Sequence, residues 1–451
     1  MKTESEEKSE VTRVLAGHIA ALRFDDLPDA AVNAARRGVL DWLGCALAGS
    51  THPTLDIVLS VLKDLNPAAH EATVLGRKCR AAVLDAALIN GQMGHVLDYD
   101  DTHMGGVVLH TSSPTLAALL ALSESMNPGG ADFMLAYVAG FEAGVRIGQA
   151  APGHHRQGWH LTGTLGTFAA SAAAAKLLKL DAAQTTHAFG IGGTQAAGMQ
   201  QNRGTMCKSF HAGKAAANGI LAARLAQSGF DSTPQIVEGR QGFCRIYSDV
   251  AVPEAVVDEL GRRWEITRNG HKPYACGVVL HPAIDALIGI RSAANIDPAA
   301  IDEVALRVHP LVLSITGVVD PQTGLQSKFS IYHSAAVALH DGAAGTQQYT
   351  DARAKDPTVI ALRNRISVSA DETLHNDEAH ARVVVAGKTY ERHVEHASGT
   401  TANPMADNAI QTKFIANAEP VIGAARAQQV CELVWSLEKQ PGVKELLSLC
   451  A

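Results

Sequence analysis

The stretch from Asn90 to Pro114, NGQMGHVLDYDDTHMGGVVLHTSSP, places His95, Asp98, Asp100, Asp101, Thr102, His103 and His110 close together, with no Lys or Arg among them. A cluster of this kind is solvated, paired with cations from elsewhere in the chain, bound to a metal, or used as acid and base. Imidazole titrates near neutral pH, which makes His110 the expected proton carrier. Carboxylates with imidazoles also suit several divalent ions, but the spacing matches no motif of defined metal geometry, and no metal is expected.

The missing cations occur further along. Lys208, His211 and Lys214 lie in MCKSFHAGKAAA, where a polar loop enters a small-residue helix, and Lys272 and His281 lie in NGHKPYACGVVLHP. In GWHLTGT, residues 158–164, His160 precedes a helix start rich in Gly and Thr, where free backbone N–H groups favour an anion. Cys207 beside His211 is not read as a nucleophilic dyad, because neighbours in sequence need not be neighbours in space. GIGGTQAAG (190–198) lacks the glycine spacing of a dinucleotide site and follows no strand.

The elements that must position these residues are mostly helical. Apolar residues recur at three- and four-residue spacing over about 11–22, 29–47, 53–65, 81–95, 114–126, 130–150, 163–179, 182–198 and 212–228. After Trp264 the pattern changes. Segments 301–310, 366–371, 381–387 and 388–396 alternate as strands do, with Ala386-Gly387-Lys388 as a hairpin turn and helices expected at 281–294 and 328–341. The expected architecture is multidomain α and β. A large all-α helical domain spans 1–268 and is completed by 399–451, and 269–398 form a smaller α+β lid domain.

With 451 residues, 47% of them apolar and 18% charged, the chain has the composition of a large globular protein. Aromatics are only 5% while Gly and Ala abound, so helices must approach closely through small side chains. A net charge of −7 gives no reason to expect nucleic acid or an anionic membrane as a partner. The charged start MKTESEEKSEVTRVLAG has no apolar signal region, and no run approaches the roughly 20 residues of a membrane span, so a cytoplasmic location is expected. Seven scattered cysteines without a CxxC pair suit reduced thiols.

Six separated motifs, NGQMGHVLDYDDTH, RQGWHLTGTLG, GTMCKSFHAGKAAANG, KPYACG, SKFSIYHSAAVAL and HASGTTANPM, together resemble the MmgE/PrpD family in order and across nearly the whole chain. The resemblance implies a helical domain with a lid domain, commonly in a homodimer, and chemistry on small polycarboxylates without metal or organic cofactor. Carried over by motif, the active-site positions fall on Asp98, Thr102, His110, His160, Lys208 and Lys272. His103 of the acidic segment is added as a substrate contact. One departure stands out: many members have a tyrosine four residues after the Phe of KFS, whereas here Phe329 is followed at that distance by His333, with tyrosine at Tyr332. His333 and Tyr332 are therefore expected to touch substrate, and a side branch of the family is favoured.

Residue chemistry and resemblance agree on a reaction type. Lysines, with Thr102, can hold substrate carboxylates and ease formation of an enediolate when an α-proton is removed. The leading expectation is a cofactor-independent lyase on a di- or tricarboxylate, with dehydration of a citrate-like substrate ahead of decarboxylation of a cis-aconitate-like one. An isomerase acting on an iminodisuccinate-like dicarboxylate is the alternative, and a non-catalytic carboxylate- or metal-binding protein a remoter one.

Overall fold

The structure, a computed structural model, describes residues 10–451; the first nine residues of the charged amino-terminal stretch lie outside the described residues. Helices fall close to their expected ranges: Val11–Ala21, Asp29–Gly49, Pro53–Leu65, Val83–Val96, Ser112–Met126, Gly130–Gln149, Leu161–Leu177, Ala182–Gly193 and Met206–Gln227. No single helix among the described residues is long and apolar enough to cross a membrane.

Small side chains set how these helices pack. A Cβ on Gly91 would lie 2.8 Å from the Cα of Gly213, and one on Gly213 would lie 2.0 Å from the carbonyl oxygen of Leu88. The helices Val83–Val96 and Met206–Gln227 therefore cross with their backbones in contact. The crossing sets the end of the first, which leads into Asp98, beside the start of the second, which carries Lys208. That second helix begins at Met206 rather than near 212, because the Thr205 hydroxyl caps it by accepting from the Cys207 N–H at 3.3 Å. Lys208 thus sits on a helical first turn rather than in a polar loop.

The last part of the chain returns to the helical core. Helix Asp407–Ile422 packs on Asp29–Gly49, with Gly44 against Phe414 and Lys413 Nζ 2.7 Å from the Asp41 carboxylate. One large core accordingly includes Leu15, Trp42, Phe141, Phe168, Phe414 and Val434.

A second core belongs to the α+β part. Strand Ile301–Val308 pairs in parallel with Ile366–Ala370 on one side and antiparallel with Ala379–Val385 on the other; Lys388–Val394 completes the order. Along the first strand Ile301, Val304, Leu306 and Val308 turn inward, with a register shift between Ile301 and Glu303. Helices His281–Ala294 and Ile331–Asp341 supply Ile284, Leu287 and Val337 to this core. The hairpin turn uses Ala386 and Gly387, both at positive φ (48° and 78°), as a two-residue connection between twisted strands requires.

The helical part is not free of β structure. Ala72–Val74 pairs with Cys79–Ala81, and Thr102–His103 pairs with Asn269–Gly270. The first lies where ATVLG (72–76) reads as a short extended piece, and the second, of two residues, is too short for alternation to show in the sequence. The second one fastens the acidic stretch to the segment that carries Lys272.

Candidate active site

Asp98 is where these elements meet. It follows helix Val83–Val96 and sits at φ 51°, a left-handed conformation that Asp and Asn adopt more readily than most residues. Its carboxylate accepts from Lys208 Nζ at 2.6 Å and lies 3.4 Å from Lys272 Nζ, which also donates to the Asp98 carbonyl at 2.9 Å. Burial would raise this carboxyl, but Lys208 and Lys272 outweigh it and hold the group well below the usual carboxylate range. Burial and then the neighbouring Lys272 lower Lys208, against the pull of Asp98. Two lysines share one carboxylate, which leaves surplus positive charge for an anionic ligand.

His110 lies on the same wall. Its Nδ1 is 2.8 Å from the carbonyl of Asp101 and 3.1 Å from the Thr102 hydroxyl. A carbonyl can only accept, so Nδ1 carries the proton and Nε2 keeps its lone pair. Burial pushes the ring down to about 3, so it is neutral at physiological pH. Thr102 is fully buried and holds His110 rather than lining the cleft. His95 lies between His110 and His160, tilted at 4.7 Å from the ring of the first and stacked at 5.5 Å from that of the second. Its Nδ1 is 2.9 Å from Asp100, which in turn accepts from Ser113.

His160 precedes helix Leu161–Leu177 and bonds His211 through facing Nδ1 atoms at 2.9 Å. Burial first, and Lys208 next, lower it well below the usual imidazole range. The helix start contributes His160 and not its hydroxyls: Thr162 and Thr164 are fully buried, and Thr164 lies 3.1 Å from His154.

These groups open on one cleft of about 510 Å³ between the helical and α+β parts. Asp98, His103, His110, His160, Lys208 and Lys272 all line it, so residues up to 174 positions apart converge as expected. His103 has both ring nitrogens engaged, Nδ1 with the Val107 carbonyl at 3.0 Å and Nε2 with Glu265 at 3.2 Å, which suits holding the loop. His333 and Tyr332 are not brought to the cleft. His333 is buried in the α+β core, its Nε2 2.8 Å from the Gln348 carbonyl, because Ser330 caps the helix at Ile331 and turns residue 333 inward. The same cap leaves Lys328 and Phe329 before the helix. Phe329 reaches the cleft, with Lys208 Nζ 5.7 Å from its ring centre.

Several residues were not singled out from sequence. Lys328, buried, donates to the carbonyls of Leu97 at 2.6 Å and Ala275 at 2.7 Å, and burial lowers it to about 8. It clamps the residue before Asp98, and its signal was the Lys of the SKFS motif. Arg203 lines the cleft, as do Asp377 and His396, which form a 2.9 Å pair. His95, Asp100 and His110 offer atoms close enough to hold a metal ion. The Nδ1 atoms of the two rings are already engaged, that of His95 with Asp100 and that of His110 with the Asp101 carbonyl, whereas His95 Nε2 is buried without a partner.

Residues 13–255 match the MmgE/PrpD N-terminal domain and residues 274–438 the MmgE/PrpD C-terminal domain. The chain belongs to the MmgE/PrpD family. Similar family proteins include the cis-aconitate decarboxylase-like protein oryM of Aspergillus oryzae, 29% identical over 99% of this chain and 98% of that protein. Cis-aconitate decarboxylase of Aspergillus terreus is 27% identical over 99% and 97%. The Homo sapiens enzyme of that name is 25% identical over 95% and 92%. In this MmgE/PrpD chain the boundary between the matched domains, 256–273, contains both Asn269–Gly270 and Lys272.

Proposed function

We propose that this chain is a lyase of the dehydratase or decarboxylase type, acting on a small di- or tricarboxylate. The observation that carries the reading is the pair Lys208 and Lys272, sharing Asp98, beside His110 with a free Nε2. The names of the relatives favour decarboxylation of a cis-aconitate-like substrate over dehydration of a citrate-like one, reversing the order read from sequence.

The lysines hold two substrate carboxylates and lower the energy of negative charge that develops next to one of them. In a decarboxylation the C–C bond to the leaving carboxylate breaks, CO2 departs, and the electron pair shifts the double bond. The far carbon then takes one proton, delivered by an imidazole N–H. In a dehydration His110 Nε2 removes the α-proton and a second group protonates the departing hydroxyl. His160 is that group when its Nδ1 accepts from His211, since the tautomer then carries its proton on Nε2. Bound carboxylates oppose the burial that depresses both rings, so each becomes a better base in the complex than in the free protein.

Incubation with citrate, 2-methylcitrate, cis-aconitate and iminodisuccinate in heavy water, followed by NMR, tests the reading. We expect loss of CO2 or water from one of the citrate-derived acids, with one deuterium in any decarboxylated product. Solvent deuterium entering unchanged substrate, with no CO2 or water lost from any acid, would move the assignment to an isomerase.

A further inference from the structure

We propose that the outer face of the four-stranded sheet carries a site for a divalent transition-metal ion of the zinc type, held by Glu378, His380 and His393. The site lies outside the cleft and does not rest on the lyase reading.

His380 and His393 stand directly opposite each other on the antiparallel strands Ala379–Val385 and Lys388–Val394. Facing residues of such a pair hold their Cβ atoms about 5 Å apart, which sets the two imidazoles side by side. Their rings stack at 4.1 Å with 4° between the planes. Glu378 precedes His380 by two residues and therefore shares its face. Its Oε1 lies 2.8 Å from Nε2 of His393 and 4.0 Å from Nε2 of His380, while its Oε2 accepts from the His375 N–H at 2.9 Å. The backbone thus fixes the carboxylate with one oxygen aimed at both rings, as an outer partner orients a metal ligand.

The distances suit an ion. Ligand atoms around a tetrahedral zinc, each about 2.0–2.1 Å from it, stand roughly 3.3 Å apart. The ligand atoms of the three residues all lie within 4.8 Å of one another, and the separations of 2.8 and 4.0 Å fall on either side of the tetrahedral value. Small side-chain rotations therefore close the site, and two imidazoles with one carboxylate leave a fourth position for water. Both rings are reached from solvent, their side chains 35% and 45% exposed. The arginines nearby are each answered by a carboxylate, Arg382 by Glu303 at 3.3 Å and Arg307 by Asp371 at 3.5 Å, so their charge does not oppose a cation unchecked.

The site also has a place in the fold. Lys388–Val394 is an edge strand, paired on one side only. The chain enters its neighbour shortly after Asp377 and leaves the edge strand shortly before His396, and these two residues carry their 2.9 Å pair into the cleft wall. An ion held across Glu378, His380 and His393 fastens the edge strand to its neighbour beside that pair.

The test is a calorimetric titration of zinc chloride into the chelator-treated full chain, with hydrogen exchange measured before and after. We expect a saturable zinc site and slower exchange over residues 388–398 once it is filled. His380→Ala and His393→Ala, at solvent-reached positions that leave the metal-free melting temperature unchanged, should each abolish that binding. Glu378→Gln should weaken it by at least roughly tenfold, the lower end of what removing even an outer partner of a metal ligand costs. Absence of zinc binding, binding that survives both histidine variants, or binding that leaves exchange over 388–398 unchanged overturns the inference.

Discussion

The two walls of the cleft are built on different principles. On the helical wall each titratable group is held by a neighbour: His110 by Asp101 and Thr102, His95 by Asp100, His160 by His211, Lys208 by Asp98. The α+β wall contributes Lys272 at its very start and is then mainly hydrocarbon until Asp377 and His396. Charge buried in a low-dielectric setting must be tied down on every side, whereas apolar surface needs only shape. The helical wall, with its titratable groups tied down, is the rigid one, and the α+β wall offers mainly hydrocarbon.

Changes on the rigid wall should be costly. Asp98→Ala leaves Lys208 and Lys272 facing each other without their shared counter-charge, so unfolding in urea should show a loss of about 3–5 kcal/mol, together with loss of turnover. A stability change below about 1 kcal/mol would mean that the lysines are solvated and the contrast between walls is false. His110→Asn removes the free imidazole nitrogen while leaving a side chain able to reach Asp101. It should lower kcat by about 10²–10⁴-fold with little change in melting temperature, measured by steady-state kinetics beside thermal unfolding.

Acid sharpens the comparison through opposite signs. An unfolded imidazole protonates near 6.5, but burial holds His110 and His154 at about 3 and His211 at about 4. Stability contributed by these neutral rings is complete above 6.5 and is lost as pH falls through 6.5 towards those values. His396, raised by its bond to Asp377, instead contributes stability that is present below 6.5 and lost only as pH rises through its folded value. Hydrogen exchange at pH 5 should therefore show the segments around His110, His154 and His211 losing protection before the segment around His396. Uniform loss across both walls would contradict this.

Periodicity made most of the fold legible. The helices 53–65, 130–149 and 281–294 stand where apolar spacing put them, because burial of one stripe decides a helix locally. What spacing could not show was decided by single hydroxyls and by pairing across long separations. Thr205 starts its helix six residues early, and Ser330 turns His333 inward while freeing Phe329. The site was legible as residue types: Asp98, His160, Lys208 and Lys272 each stand in one of the quoted motifs, and His110 follows the first of them by seven residues. Roles within it were not. Thr102 proves to be a bracket for His110, and Lys328, present in the SKFS motif but given no role there, proves to anchor the turn at Leu97.

The two-residue ladder between Thr102–His103 and Asn269–Gly270 crosses from the helical part to the segment that carries Lys272. It joins the first two residues past the helical part to the acidic loop, and Lys272, two residues on, donates to the Asp98 carbonyl at 2.9 Å. The cationic grip is thus assembled before a ligand arrives. Lys328 carries the tie on into the α+β part through the carbonyls of Leu97 and Ala275, so a domain transplanted from a relative should keep the charge in place only if it brings that lysine.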